Sequence, residues 1–454
     1  MVQLEALQEL IEWRGNPEET AQRCLRVAQE EGNTFQALLN LVALAGMTLL
    51  STSIALDAPQ VVEPLREAKH LMEEDGGTWT GTERLVARHH VDALEKWCQS
   101  DMYGAAESWE EVLLLDPLDT MALKFAHDAY FYLGHCRQIR DSIARVLPKW
   151  KPPSPSYSFL LGMYSFGLEE CGDYEKAEEM ATRALEGSSS DVWAIHTMAH
   201  IFEMKGQVDQ GLEFLTARLE DWRKADFLAC HLFWHMCLFH LENQDAEEVF
   251  NIWEKELSVR VKSGMPLDLV DCCSLLMRLE MEGFTLESAW KDLLELWRPQ
   301  IRNHTLGFND THIAMAAIRV GDQAALQELF DSLPEEQVAS LPRLNQKRLI
   351  FDLAFPVCRA IQCFVEDDYD AAVALLRPIR YDLYLLGGSH AQRDVYHLIL
   401  LHASMQNPSN KNLARALVAE RLALKQSPMN NRLQSMQLMM GLPHSPSKRG
   451  LRKK

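Results

Sequence analysis

The stretch GDYEKAEEMATRAL, residues 172–185, decides the fold. A glycine breaks one helix, and the segment that follows carries small residues at Ala177, Ala181 and Ala184, all on one helical face. Such a face lets two antiparallel helices approach closely. The pattern recurs: with Gly172 as position 15 of a repeat, equivalent positions fall at Ser100, Gly134, Gly206 and Gln244, with successive spacings of 34, 38, 34 and 38. Apolar residues three and four apart, as in Asp173–Leu185 and Ala246–Leu257, predict helices, and strand signals are almost absent.

A 34-residue helix–turn–helix unit is the tetratricopeptide repeat. In the first unit Met102, Ala105, Trp109, Leu113 and Pro117 fill positions 17, 20, 24, 28 and 32, each with a residue type that the repeat favours. Weaker units surround Gly283, Gly321 and the run Asp367–Ala372, and the Gln244 unit is degenerate. The fold class read from this is all-α, a tetratricopeptide-repeat-type α-solenoid of about seven to nine antiparallel helix pairs. One domain spans 1–443, with its clearest repeats at about 86–119, 158–191, 192–225, 230–263 and 353–386. Residues 444–454, HSPSKRGLRKK, read as a disordered basic tail.

Composition agrees. The chain has 454 residues, 51.9 kDa and 47% apolar content, enough to bury a long core. Against 65 Asp and Glu stand 45 Lys and Arg, a formal charge of −20, which argues against nucleic acid or an anionic membrane as partner. Ten cysteines without a CxxC pair read as reduced thiols of a cytoplasmic protein, and Cys272 and Cys273 as core. The first residues lack the basic start and apolar run of a secretory signal. Residues 32–56 carry no charge, but Asn40, Thr48, Ser51, Thr52 and Ser53 interrupt them, so they read as a buried helix rather than a membrane span.

No phosphate loop, nucleophile elbow, HExxH helix or dinucleotide fingerprint occurs. Histidines stand out instead. His196 and His200 form one HxxxH pair with Glu203 a turn on, and His231 and His235 form a second pair in the next repeat. Side chains four apart share a helix face, so each pair can converge on one ion. Counted from position 15, the first three occupy positions 5, 9 and 12, and the second pair falls near positions 2 and 6, which line the inner face of such arrays. His127 and Asp128 belong to the same surface, Asp128 as an anionic ligand or as a partner that orients an imidazole. Imidazole and carboxylate donors suit Zn²⁺, Mn²⁺ or Fe²⁺ better than Ca²⁺. The bland alternative is that the histidines are hydrogen-bonded inside the core.

Further on, Asn309 or Asp310 is the expected N-cap of a helix that brings His312 near the inner face. Arg393 and Asp394, after a cap at Ser389, either bind a carboxylate and orient a histidine or pair structurally between helices. Two functions follow. The first is a binding protein that uses a concave His- and acid-rich groove to hold a protein, peptide or small-molecule ligand, through His127, Asp128, His312, Arg393 and Asp394. The alternative is a metal-dependent, hydrolase-like enzyme with His196, His200, His231 and His235 as ligands and Glu203, Asp128 or Asp310 as general base.

Longer motifs point to something narrower. MALKFAHDAYFYLG (121–134), HTMAHIFEMKG (196–206), LACHLFWH (228–235), DCCSLLMRLEMEG (271–283), FNDTHIAMA (308–316), RPIRYDL (377–383) and LGGSHAQRDVYHLILLHA (386–403) resemble the tetratricopeptide repeat protein 38 family. The likeness runs from the first residues to about Asn430. It implies an all-α repeat array and carries no established activity. His127, Asp128, His196, His200, Glu203, His231, His235, Asp271, Asp310, His312, Arg393 and Asp394 match the family's motifs. Departures fall at His390, where the family often has Asn, and at Phe202, where it often has His; the basic tail is not a family feature.

Overall fold

A computed structural model describes residues 5–75, 77–152, 156–225 and 228–425, so the tail read at 444–454 lies outside the described residues. All regular elements among them are helices. What makes the hairpins is a left-handed residue. At Ser100, Gly134, Gly172, Gly206, Gln244, Gly283, Gly321 and Asp367, φ lies between 58° and 90°. Glycine adopts this conformation freely, whereas an L side chain costs about 1 kcal/mol there. The next residue often starts the second helix: Asp101, Asp245, Asp322 and Asp368 each accept a backbone N–H three residues on.

The resulting helix pairs are Gly81–Cys98 with Met102–Leu115, Thr120–Tyr132 with Cys136–Val146, Tyr157–Glu170 with Tyr174–Gly187, and Val192–Met204 with Val208–Ala217. Ala229–Glu242 pairs with Ala246–Ile252, Pro266–Met281 with Glu287–Trp297, and Gly307–Val320 with Gln323–Asp331. Phe355–Val365 with Tyr369–Ile379 and His390–Gln406 with Lys411–Leu424 complete the array. Ahead of them stand Glu5–Glu12, Pro17–Glu30, Thr34–Leu50 and Pro59–Glu74.

The two helices of a pair have different surroundings. In Tyr174–Gly187 only the stripe Ala177, Met180, Ala181 and Ala184 is buried, the mark of an outer helix. Val192–Met204 is buried without a break from Val192 to Ile201, because it lies on the inner layer with helices on both sides. A polar residue on an inner helix therefore has no solvent to face. The uncharged Thr34–Leu50 helix is of this buried kind, and no helix among the described residues is long and apolar enough to cross a membrane.

The inner layer does not border an open trough, because the second half of the chain folds back onto the first. The backbone N–H of Gln346 donates to Ser100 O at 3.0 Å, and Asn345 Nδ2 to Gln99 O at 3.1 Å. Thr305 Oγ1 reaches Thr52 O at 2.9 Å, and the His390 N–H reaches Glu170 Oε1 at 3.0 Å. Gly134 and Gly387 let the two halves meet: a Cβ on Gly134 would lie 1.8 Å from Tyr384 O, and one on Gly387 would lie 2.4 Å from Tyr132 O. At the start of the chain, Glu5–Glu12 covers the same face, with Trp193 Nε1 donating to Ile11 O at 3.0 Å.

Gly134 (φ 68°) and Gly172 (φ 81°) make the same turn, yet only Gly134 abuts the other half of the chain. Gly172→Ala is expected to cost about 1 kcal/mol, the left-handed term alone. Gly134→Ala should cost about 2 kcal/mol more, because a backbone carbonyl must move. Urea unfolding of the two variants, compared at equal m-value, checks this.

Candidate metal centre and cavity

His196 and His200 project from the inner helix Val192–Met204, and His231 and His235 from Ala229–Glu242. The helices lie side by side, so residues 35 apart come opposite each other: His196 Nε2 lies 2.9 Å from His231 Nε2. Along each helix His200 Nε2 is 2.8 Å from His196 Nε2, and His235 Nε2 is 3.2 Å from His231 Nε2. All four offer a ring nitrogen within 4.8 Å of the others, and all four are buried. Four nitrogens tetrahedrally arranged about one ion at ~2.0 Å stand roughly 3.3 Å apart. The separations found here are close to that.

Three rings have a carboxylate at the opposite nitrogen. Asp271 Oδ2 lies 2.6 Å from His231 Nδ1, Glu203 Oε2 3.5 Å from His235 Nδ1, and Glu169 Oε2 3.6 Å from His200 Nδ1. Behind these, Gln392 Nε2 donates to Asp271 Oδ1 at 2.8 Å, and Lys425 Nζ to Glu203 Oε1 at 2.9 Å. A carboxylate at Nδ1 holds the proton there and turns the Nε2 lone pair toward the centre. His231 and His235 bring their Nε2 atoms within 3.2 Å of each other. A cation between them would relieve the repulsion of two facing lone pairs.

A proton is a poor candidate. Burial, with the neighbouring imidazoles, holds His196 and His200 well below the ordinary histidine range. Burial also lowers His235 to about 4 against the pull of Glu203. Glu169 has both carboxylate oxygens buried without a hydrogen bond, and burial, with Glu170 and Glu203 nearby, pushes its carboxyl well above the usual range. Burial alone would raise Glu203 too, but Lys425 and His235 outweigh it and hold the group low. A divalent ion on the four Nε2 atoms would supply positive charge to this cluster of rings and acids.

The centre borders a cavity of about 450 Å³ between the halves of the chain, with His196 and His231 in its wall. Trp13, Phe131, Phe166, Trp193, Leu228 and Phe308 make most of that wall apolar. Its polar spots are few. Lys124 pairs with Asp128 and lies 4.8 Å over the ring of Trp13 and 5.1 Å over that of Trp193. His127 packs edge-on against Trp193, ring centroids 5.2 Å apart, with both ring nitrogens buried and without a hydrogen bond.

Of the other sequence candidates, His127 and Asp128 do face this cavity. Asp128 is an ion-pair partner rather than a free base, since Lys124 and His127 overcome burial and lower its carboxyl. Glu203 is likewise occupied by Lys425, and Asp310 by His304, whose Nδ1 is 2.8 Å away. None of the three is placed as a general base. The helix at 307 begins one turn earlier than the capping reading needs, with Leu306 before it, so Asn309 and Asp310 lie inside the helix and neither caps it. Asn309 instead donates to Thr52 Oγ1 at 3.2 Å. His312 is sealed in the core, its Nδ1 donating to Phe308 O at 2.7 Å. Arg393 holds Gly388 O and stands 3.5 Å from Glu170, and Asp394 pairs with Arg421. His312, Arg393 and Asp394 do not line the cavity; Arg393 and Asp394 pair with other parts of the chain, and His312 keeps a buried Nε2 without a hydrogen bond. Ser389 does cap the last long inner helix, in a capping box with Gln392.

Of the acids behind the rings, Glu203 stood out in the sequence as a candidate base and Asp271 as part of a family motif, but neither as the partner of an imidazole, and Glu169 was not singled out. Glu169 had a legible signal: it stands three residues before Gly172, as Glu203 stands three before Gly206. Asp271 and Lys425, 40 and 222 residues from their partners, carried no signal of the pairing.

No family model matches the chain. Among solved structures it is similar to the crystal structure of the yeast Tom70, at 14% identity over 93% of this chain and 95% of that one. The TM-score is 0.26, and nothing is argued from this likeness. The hairpin array itself is a tetratricopeptide-like helical repeat, a fold suited to protein-binding scaffolds.

Two buried neutral histidines set an acid limit. His312, lowered to about 4 by burial, and His235, also about 4, take up protons in the unfolded chain near the ordinary 6.5 but not in the fold until much lower. Their contribution is complete above pH 6.5 and is lost as pH falls through 4. For His312 this amounts to about 3 kcal/mol. Metal-free protein should lose stability between pH 6.5 and 4, and His312→Gln should flatten that slope, as read by urea midpoints across the range.

Proposed function

We propose that this chain is a metal-dependent protein that holds a small, largely apolar molecule in its interior cavity. The ion is a divalent transition metal, Zn²⁺, Mn²⁺ or Fe²⁺, on His196, His200, His231 and His235. The observation that carries this reading is the His231–His235 contact: two Nε2 atoms 3.2 Å apart, while each Nδ1 faces a carboxylate. With both protons held at Nδ1 the two Nε2 lone pairs would face each other, and a shared cation would satisfy both. When bound, such an ion supplies Lewis-acid activation of an oxygen- or nitrogen-bearing group.

The chain's own residues do the rest. Asp271, Glu203 and Glu169 orient their imidazoles, and the aromatic wall excludes water and selects an apolar body. His127 stands with Nδ1 3.6 Å from Asp128 and with Nε2 buried and without a hydrogen bond, so Nε2 is free to meet a ligand's polar group. A cavity of about 450 Å³ fits a small molecule, not a folded partner or a helix. We therefore assign the interior to a small ligand and leave protein partners to the outer faces of the array. The motifs quoted above support membership of the tetratricopeptide repeat protein 38 family, as a single repeat domain over 1–443. Ten free cysteines support a reducing, cytoplasmic setting.

Elemental analysis of purified, untagged protein tests the centre. About one equivalent of zinc, manganese or iron is expected. A His196→Ala/His231→Ala double variant, folded by circular dichroism, should lose it. Protein that stays free of metal after incubation with Zn²⁺, Mn²⁺ and Fe²⁺ would sink the proposal.

A further inference from the structure

The four histidines are not equivalent. His200, His231 and His235 each have a carboxylate at Nδ1, at 3.6, 2.6 and 3.5 Å. Among the described residues His196 has no acidic oxygen within 4 Å of its Nδ1, which is buried and makes no hydrogen bond. Its ring lies against Phe166, centroids 5.1 Å apart, an apolar neighbour that lets the ring turn without losing a hydrogen bond. A carboxylate behind a ligating imidazole fixes its tautomer, raises its basicity and strengthens its hold on the ion, and losing such a partner weakens metal binding by about 10- to 100-fold. Three backed rings and one unbacked ring therefore make three strong ligands and one weak one.

Position adds a second asymmetry. His196 lines the cavity, whereas His200 and His235 do not. His231 lines it as well, but the 2.6 Å contact with Asp271 anchors that ring, and Gln392 anchors Asp271. The weakly held ligand thus faces the space where a molecule binds. Three fixed protein ligands with a fourth position open to solvent or substrate is the arrangement of catalytic zinc sites, whereas structural sites are closed by four.

Building on the metal reading above, we propose that His200, His231 and His235 hold the ion permanently, and that His196 is an exchangeable fourth ligand, displaced by a donor atom of the molecule in the cavity. In the exchange the bond from His196 Nε2 to the ion breaks and one from the ligand's oxygen or nitrogen forms. The imidazole leaves neutral, no electron is transferred, and the freed ring stays in the cavity wall as a hydrogen-bonding group for the same ligand. The class of molecule is a small, mostly apolar or aromatic compound with one good donor such as a hydroxyl, carboxylate or azole nitrogen.

Cobalt(II) titration of the full chain tests this, with absorption of the four-coordinate ion as the signal. Four single variants, His196→Ala, His200→Ala, His231→Ala and His235→Ala, are compared with the wild type. His196→Ala is expected to bind one equivalent with affinity reduced no more than about 10-fold, and the other three to lose about 100-fold or more. Imidazole and azide should shift the cobalt spectrum of the wild type without releasing the ion, and do so at lower concentration in His196→Ala. Equal losses in all four variants would overturn the proposal, and so would a wild-type spectrum that neither probe moves. Should His196→Ala not fold, His196→Gln and the wild-type probe titration decide in its place. Failure of the wild type to bind cobalt, zinc, manganese or iron at all is a distinct result, and overturns the metal reading itself.

Discussion

Four imidazole rings bring their nitrogens together in the buried inner layer, and burial disfavours protonation of His196, His200 and His235, the ordinary way for histidine to tolerate such crowding. Much else in the inner layer can be read as a response to that constraint. Asp271, Glu203 and Glu169 stand on the far side of three of the rings, and Asp271 hydrogen-bonds Nδ1 of its ring. Gln392 and Lys425 hold two of those acids in turn. Each of these partners is itself buried or nearly so, and a buried charge is tolerable only in a chain of this kind, where every member is satisfied by the next. Glu169 is the exception: no neighbour donates to it, and its carboxyl is driven toward the neutral form. Its unmet need has the same origin as that of the rings it stands behind, a deficit of positive charge at the centre.

The repeat architecture makes such a centre possible. In a helical hairpin array the first helix of each pair has neighbours on both sides, so its residues are buried around the whole circumference. Neighbouring inner helices place residues one repeat apart opposite each other, which turns a four-residue spacing along one helix into a square of side chains across two. The same architecture, left open, presents a broad concave surface for a partner. Here the second half of the chain returns across that surface, through the turns at Ser100, Gly134 and Gly387 and the helix at Glu5–Glu12. What would have been a groove becomes a partly enclosed cavity of about 450 Å³ lined largely by aromatic and apolar side chains.

Closure also explains why several polar residues on the inner layer have nothing to do with a ligand. Arg393, Asp394, His312 and Asp310 have the residue types of a binding site, and each is spent on the fold: on loop carbonyls, on Arg421, on a backbone oxygen of its own helix, on His304. They share the inner layer with the histidines, and in a dry layer any polar side chain must find a partner. Residue type and face of the helix therefore do not separate a ligand-binding group from a structural one. Hydrogen-bond partners are missing at His127, at Glu169, at Nδ1 of His196 and His235 and at Nε2 of His312, so an unmet atom marks a candidate only where it also borders the cavity.

The order of residues along the chain already determined the helical hairpins, because a left-handed turn and an aspartate cap are local demands that Ser100-Asp101, Gln244-Asp245, Gly321-Asp322 and Asp367-Asp368 meet by themselves. It also determined that His196, His200, His231 and His235 would meet, since a spacing of four shares a helix face and a spacing of one repeat shares a position between helices. Deciding which rings are braced, and by what, needed contacts between residues as far apart as Glu203 and Lys425, and no local pattern encodes these. The same holds for the return of the second half over the first, which rests on close backbone approach at Gly134 and Gly387. Tertiary structure alone turned a concave surface into a chamber, because closure depends on how small rotations between successive helix pairs add up along the whole array, and not on any one of them.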